Sequence, residues 1–136
     1  MTIATFVQES DNGQYWVDPA LEKRGDLIAS DRVEGTAVYN RQGDRLGKIS
    51  NFMVDKKSGQ VRYAVLSFGG FLGMGHDHYP LPWSMLTYDV AQGGYVVDLD
   101  KQLLDNAPRY TADHRPDYDE GYGRNVYQYY GLIYPW

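Results

Sequence analysis

Short β-prone segments separated by turns are the feature that most limits how this chain can fold. Strands alternate their side chains with a period of two, and segments this short between turn residues predict strands rather than long helices. The six predicted strands cover residues 36–39, 46–55, 61–68, 78–83, 86–90 and 95–99. This pattern is typical of a small β-barrel or β-sandwich.

Three local details refine the predicted sheet. Apolar residues at positions 46, 49, 52 and 54 break strict alternation, so we expect a β-bulge near Lys48–Asn51. The missing N–H groups of Pro80 and Pro82 would face the same neighbour, which predicts a strand at an edge or seam of the sheet. Gly59 closes the loop at 55–59 and is suited to a positive φ.

A short helix is predicted after the last strand. It runs from about Lys101 to Asn106, because Asp100 is a good N-cap and Pro108 follows the end. The glycine-rich residues 69–75 predict a sharp bend. We therefore expect a mainly β fold, a small, strongly bent barrel with one short C-terminal helix and extended N- and C-terminal arms.

A collinear set of motifs spans residues 27–109. In chain order, the motifs are Ser30-Asp31, Gly35-Thr36-Ala37-Val38-Tyr39-Asn40, Gly43–Ile49, Gly59–Gly73, Tyr79-Pro80-Leu81-Pro82-Trp83, Gly94–Leu103 and Asn106-Ala107-Pro108. This set resembles the PRC-barrel family, named for the cytoplasmic domain of the photosynthetic reaction centre H subunit. The tail from Tyr122 to Trp136 is similar to the aromatic ending of small stand-alone bacterial members.

The resemblance implies a non-catalytic interaction or scaffold module. One class of the family lies under the reaction centre, and another forms half of a ribosome maturation factor that binds a ribosomal protein. A reaction-centre H-subunit-like role in electron or proton transfer at a membrane complex is therefore the alternative. We divide the chain into an N-terminal arm (1–26), a PRC-barrel-like domain (27–109) and a linker with an aromatic tail (110–136).

Composition excludes several kinds of site and partner. The 136 residues include no Cys, so a disulfide framework, a thiolate zinc site and a cysteine nucleophile are excluded. Eighteen acidic residues against 13 basic ones give a net charge of −5, which argues against a nucleic-acid partner. Residues 35–109 carry seven acids and eight bases, so the negative charge belongs to the two flanks.

The chain shows no candidate membrane segment. The longest charge-free run, Tyr63–Gly75, has 13 residues and falls short of the roughly 20 apolar residues that a span needs. The first residues lack the basic region of a signal peptide. We therefore expect a cytoplasmic protein without direct membrane insertion.

The sequence contains few patterns typical of a metal site or a catalytic site. His76 and His78 would share one face of a strand, and only His114 is left as a third imidazole, so they are weak metal candidates. A small-ligand or metal binder through residues 69–78 stays an alternative. No Ser lies in a nucleophile elbow, and Asp98 with Asp100 is a typical solvent-facing pair. We predict no enzyme activity, no metal and no cofactor.

Two apolar segments are the candidate interaction sites. The first comprises Phe71, Leu72 and Met74 in the glycine-rich loop. The second is the tail, where residues 110–136 hold seven of the 13 Tyr; its candidates are Tyr127, Tyr129, Tyr130, Tyr134 and Trp136. The tail is expected to fold over its own barrel or to pack across a homodimer, ahead of docking on another protein. The predicted partners are a second copy and a further protein, for which a membrane-associated complex is one candidate.

Overall fold

A computed structural model describes residues 7–9, 15–17, 27–68 and 77–136. Its strands are β1 (Val7–Glu9), β2 (Tyr15–Val17), β3 (Ala37–Asn40), β4 (Arg45–Val54), β5 (Val61–Phe68), β6 (Asp77–Pro82), β7 (Leu86–Asp89) and β8 (Gly94–Val97). Its α-helices are α1 (Ser30–Val33), α2 (Lys101–Asp105) and α3 (Glu120–Tyr129). Two 3-10 turns lie at Trp83–Met85 and Ala112–His114. Strands β1 and β2 pair with each other as an antiparallel hairpin.

Strands β3 to β8 form one strongly curled sheet, a half-barrel, in the order β6-β5-β4-β3-β8-β7. All neighbouring pairs are antiparallel except β3 and β8, which run parallel. Each of the six strands predicted between residues 36 and 99 is present within one or two residues of its expected bounds. The mainly β fold predicted from the sequence is therefore confirmed.

The two irregularities predicted for the sheet are also present. The register between β4 and β5 shifts between Ile49 and Asn51, as the broken apolar alternation predicts. Strand β6, with Pro80 and Pro82, is an edge strand of the sheet. Beyond it, a single antiparallel bridge joins His78 to Tyr110, whose backbone N–H and C=O groups bond to those of His78 at 3.0 and 2.8 Å.

One of the three described α-helices is the helix expected from the sequence, and the other two are additional. Helix α2 begins after Asp100, whose side chain accepts a hydrogen bond from the Leu103 N–H, as predicted. Helix α1 and the ten-residue helix α3 were not predicted. Helix α3 begins at Glu120, inside the segment interpreted as a polar linker, and Asp119 caps it by accepting from the Tyr122 N–H at 2.9 Å.

Two apolar clusters hold these elements together. The larger cluster fills the inside of the curled sheet, and its fully buried members include Val38, Leu46, Ile49, Leu66, Leu81, Val97 and Leu104. The smaller cluster joins the tail to β5 through Tyr63, Val126 and Tyr127. Of the placements left open for the tail, the structure therefore has it packed against its own barrel.

Candidate functional site

Helix α3 lies against strand β5 at very close range. Val126 is fully buried, and the ring of Tyr127 meets that of Tyr63 edge to face, with centroids 5.8 Å apart. The Tyr127 hydroxyl donates to the Arg62 carbonyl at 3.3 Å. Gly123 sits where a Cβ would come within 2.7 Å of the Tyr63 hydroxyl, so any larger residue there would push the Tyr63 ring or the helix aside.

The end of α3 turns the chain back along the barrel. Gly131 has a φ of 72°, its N–H bonds to the Gln128 carbonyl at 3.0 Å, and the Leu132 N–H bonds to the Tyr127 carbonyl at 2.9 Å. These two bonds make a Schellman motif, in which glycine adopts the left-handed conformation without a Cβ penalty. The motif fixes the direction in which residues 132–136 leave the helix.

Trp136 is held against the barrel by Arg62. The Arg62 guanidinium lies 4.2 Å from the centre of the Trp136 ring, and it also forms an ion pair with Asp55 at the end of β4. The ring of Trp136 meets Tyr127 and Tyr134 edge to face, each at a centroid distance of 5.9 Å. A cation over an indole and two ring contacts give this segment a defined position.

A groove of about 440 Å³ lies between this segment and strand β5; we call it the C-terminal groove. Its walls are mostly apolar, and its lining residues are Val61, Arg62, Trp83, Ser84, Tyr127, Leu132, Ile133, Pro135 and Trp136. Ile133 is 90% exposed although the chain around it is anchored on both sides, and Trp136 is 40% exposed. A large aliphatic side chain held in water beside an apolar groove is the main feature of this surface.

The predicted interaction residues divide by burial. Tyr127 is buried, Tyr129, Tyr130 and Tyr134 are partly buried, and Trp136 alone among the five is exposed. The hydroxyl of Tyr129 donates to the Leu103 carbonyl, so this ring links α3 to α2. Phe71, Leu72 and Met74, together with His76, lie outside the described residues.

The groove also contains residues that the sequence analysis did not single out. Trp83, Arg62 and Ile133 come from a 3-10 turn, a strand and the tail, and only the tertiary structure brings them together. The apolar character of residues 126–136 was the available signal. It does not distinguish an exposed Ile133 from a buried Val126.

The tyrosines between α3 and the sheet form a second distinct feature. The hydroxyls of Tyr110 and Tyr118 lie 2.7 Å apart and share a hydrogen bond. Burial raises the pKa of Tyr122 to about 12, and burial raises the pKa of Tyr118 and Tyr130 further. All three are therefore neutral phenols at physiological pH.

His78 offers no metal site with the neighbours that the structure describes. Its ring stacks on Tyr110 at a centroid distance of 5.7 Å, and its Nδ1 is buried without a hydrogen-bond partner among the described residues. His114 Nδ1 instead pairs with the Thr111 hydroxyl at 3.2 Å. Within residues 27–68 and 77–136, no three His, Cys, Asp or Glu side chains are grouped as a metal would require.

Four surface carboxylates have local structural partners. Asp98 forms an ion pair with Arg41 at 3.6 Å, and Asp100 caps α2. Backbone N–H groups of Ser58 and Lys57 lower the pKa of Asp55, and the Gln92 side chain lowers that of Asp89. Each of these carboxylates thus stabilises a turn, a cap or a surface pair.

None of the helices described in the structure is long and apolar enough to span a membrane.

The comparison with family models decides the family. The PRC-barrel domain model matches residues 25–104. The chain belongs to the PRC-barrel family. The matched part of this PRC barrel contains the whole curled sheet from β3 to β8, and the C-terminal groove adds the tail to it. The resemblance inferred from the motifs is therefore confirmed.

Among solved structures, RimM from Pseudomonas aeruginosa is similar to part of this PRC barrel. The two share 20% sequence identity, at a TM-score of 0.37. The match covers 65% of this chain and 52% of RimM, so the chain matches about half the length of that protein. A comparison with curated proteins finds no match.

Proposed function

We propose that this PRC barrel is a non-catalytic protein-interaction module that forms a homodimer through its C-terminal groove. The observation that carries the proposal is Ile133, 90% exposed on the rim of an apolar groove. Full burial of an isoleucine side chain is worth about 1.5–3 kcal/mol. An ordered segment that holds such a side chain in water is therefore well suited to a protein partner.

The chemistry of the groove favours protein over nucleic acid. Among the described residues that line it, Arg62 is the one cation, and this guanidinium already has Asp55 as its ion-pair partner and Trp136 as its ring partner. Nucleic-acid binding depends on cations that can reach phosphates. The mixture of Trp, Ile, Leu and Pro is instead the composition of an apolar contact surface.

The ionisable groups support the absence of catalysis as part of this proposal. A general acid or base needs a perturbed pKa at a cleft where substrate can reach it. The perturbed carboxyls, Asp55 and Asp89, cap turns, and the perturbed tyrosines owe their raised pKa values to packing. We also propose a cytoplasmic location and no cofactor.

Multi-angle light scattering tests the proposal directly. The wild-type chain is expected at twice its 15.5 kDa mass in a concentration-dependent manner, and Ile133→Asp is expected to shift it to the monomer mass. Leu27→Asp is the matched control, because Leu27 is also a large aliphatic residue and is 88% exposed. A wild-type monomer at every accessible concentration, or an Ile133→Asp dimer as stable as the wild type, would contradict the proposal.

A further inference from the structure

We infer that Ile133 of each copy inserts into the C-terminal groove of the other, in a two-fold symmetric interface. This inference rests on the proposed homodimer and specifies its contact. In a two-fold interface the same surface serves both copies, so that surface must carry both a protruding group and the cavity that receives it. Ile133 and the groove beside it meet this requirement on one continuous surface.

The backbone holds the protruding side chain in place before binding. The Schellman motif at Gly131 precedes Ile133, and Trp136, fixed under Arg62, follows it. A segment anchored at both ends loses little conformational freedom when a partner arrives, which reduces the cost of association. Ile133 is therefore presented as a preorganised contact.

The groove can receive a side chain of this kind. Its volume of about 440 Å³ lies within the roughly 300–1,000 Å³ of protein clefts that take small molecules. Trp83 and Val61 supply apolar walls, and Ser84 lies at its exposed margin. An isoleucine can thus exchange water for aromatic and aliphatic neighbours there.

The cations around the groove do not oppose a second copy as the occupant. Two copies that each carry a net charge of −5 repel one another in general. At this surface, however, Arg62 pairs with Asp55, and Arg124 pairs with Glu120 at 2.9 Å while lying 5.3 Å from the Tyr134 ring. Both cations are thus paired within each copy, so an apolar contact can form here without bringing these two positive charges unpaired against those of the partner.

Disulfide trapping can test the contact cleanly, because the chain contains no cysteine. Ile133→Cys in one copy and Ser84→Cys in a differently tagged copy would be co-expressed and oxidised mildly. A disulfide needs Cα atoms within roughly 7 Å of each other. A disulfide that joins the two differently tagged copies therefore reports that residue 133 of one copy lies at the groove of the other. Leu27→Cys replaces Ile133→Cys in the control. Each variant is first checked by light scattering and circular dichroism for the wild-type mass and fold.

The outcomes separate this inference from the proposed function. A cross-link between positions 133 and 84, absent with Leu27→Cys, is the expected result. A wild-type dimer whose variants also dimerise but give no more 133–84 cross-link than the control overturns the inserted Ile133 and leaves the homodimer standing. A wild-type chain that is monomeric at all concentrations overturns both.

Discussion

Gly123 of helix α3 and Tyr63 of strand β5 are in such close approach that a side chain at position 123 would force the neighbouring tyrosine rings to move. A Cβ at position 123 would come within 2.7 Å of the Tyr63 hydroxyl and within 2.5 Å of Tyr134 Cε1. The aromatic tail lies on the barrel, beside the C-terminal groove, because this contact is possible. It is therefore the first contact to test.

Gly123→Ala is expected to destabilise the protein by about 1–3 kcal/mol, because the added methyl group overpacks the interface. Gly121→Ala is the matched control on the same helix, where the nearest atom to a new Cβ is Asp119 Oδ1 at 3.7 Å. There, alanine is expected to raise stability by about 0.5–1 kcal/mol through helix propensity. Urea denaturation of both variants measures the difference. Equal free energies of unfolding would show that α3 does not pack as described.

The tyrosine hydroxyls provide a second matched pair. Tyr118→Phe removes the 2.7 Å hydrogen bond to Tyr110 and is expected to cost about 1 kcal/mol. The Tyr130 hydroxyl is buried without a partner among the described residues, so Tyr130→Phe is expected to raise stability by about 1 kcal/mol. Thermal unfolding followed by circular dichroism compares the two. A Tyr130→Phe variant less stable than Tyr118→Phe would contradict this arrangement of hydroxyls.

Protonation of Asp55 is expected to lower the free energy of unfolding at acid pH. Its Oδ1 accepts from the N–H groups of Ser58 and Lys57 at 2.8 and 2.9 Å, and these bonds hold its pKa below the ordinary value of 3.8. A lowered folded-state pKa contributes stability that is present above pH 3.8 and is lost as the pH falls through the folded-state pKa.

The corresponding variant is Asp55→Asn, expected to be less stable than the wild type at pH 7 and to approach it as the pH falls below about 4. Asp117→Asn, at an exposed position, removes the same charge without touching the turn. Urea titrations between neutral and acid pH give the two curves. A gap between wild type and Asp55→Asn that stays constant with pH would argue against an ionised Asp55 in the turn.

Ionisation of Tyr122 is expected to lower the stability of the fold at alkaline pH. Burial raises its folded-state pKa to about 12, whereas a tyrosine in the unfolded chain has a pKa of about 10. Its stabilising contribution is therefore complete below pH of about 10 and is lost as the pH rises toward about 12. Tyr122→Phe is expected to weaken this loss. Tyrosinate absorbance measured alongside near-ultraviolet circular dichroism tests this prediction. Titration of all 13 tyrosines with a pKa of about 10 in a still-native protein would contradict it.

Much of the barrel could be predicted because local rules and tertiary packing agree there. Alternating apolar residues defined the strands, and the broken alternation near Lys48–Asn51 correctly located the register shift. Gly59 has the expected positive φ of 76°. Asp100 caps α2 because a carboxylate before a helix satisfies free N–H groups in almost any context.

The tail could not be predicted in the same way. Helix α3 contains Gly121 and Gly123, which lower its helix propensity. It forms nonetheless, because Val126 and Tyr127 are buried against the barrel, with Gly123 allowing the approach. Packing against a distant strand outweighs local propensity here, and no short window of sequence contains that strand.

The sequence by itself determined the family, the curled sheet and the tail's need for apolar contact, because these follow from residue order and periodicity along the chain. Only the tertiary structure decided which apolar tail residues are buried against the chain's own barrel and which stay exposed. Tyr127 is buried at 4% exposure and Ile133 stands at 90%, although both are large and largely apolar and lie six positions apart. The difference arises from the turn at Gly131 and from the anchoring of Trp136 by Arg62. The second of these is a contact between residues 74 positions apart in sequence, which no short stretch of the chain contains.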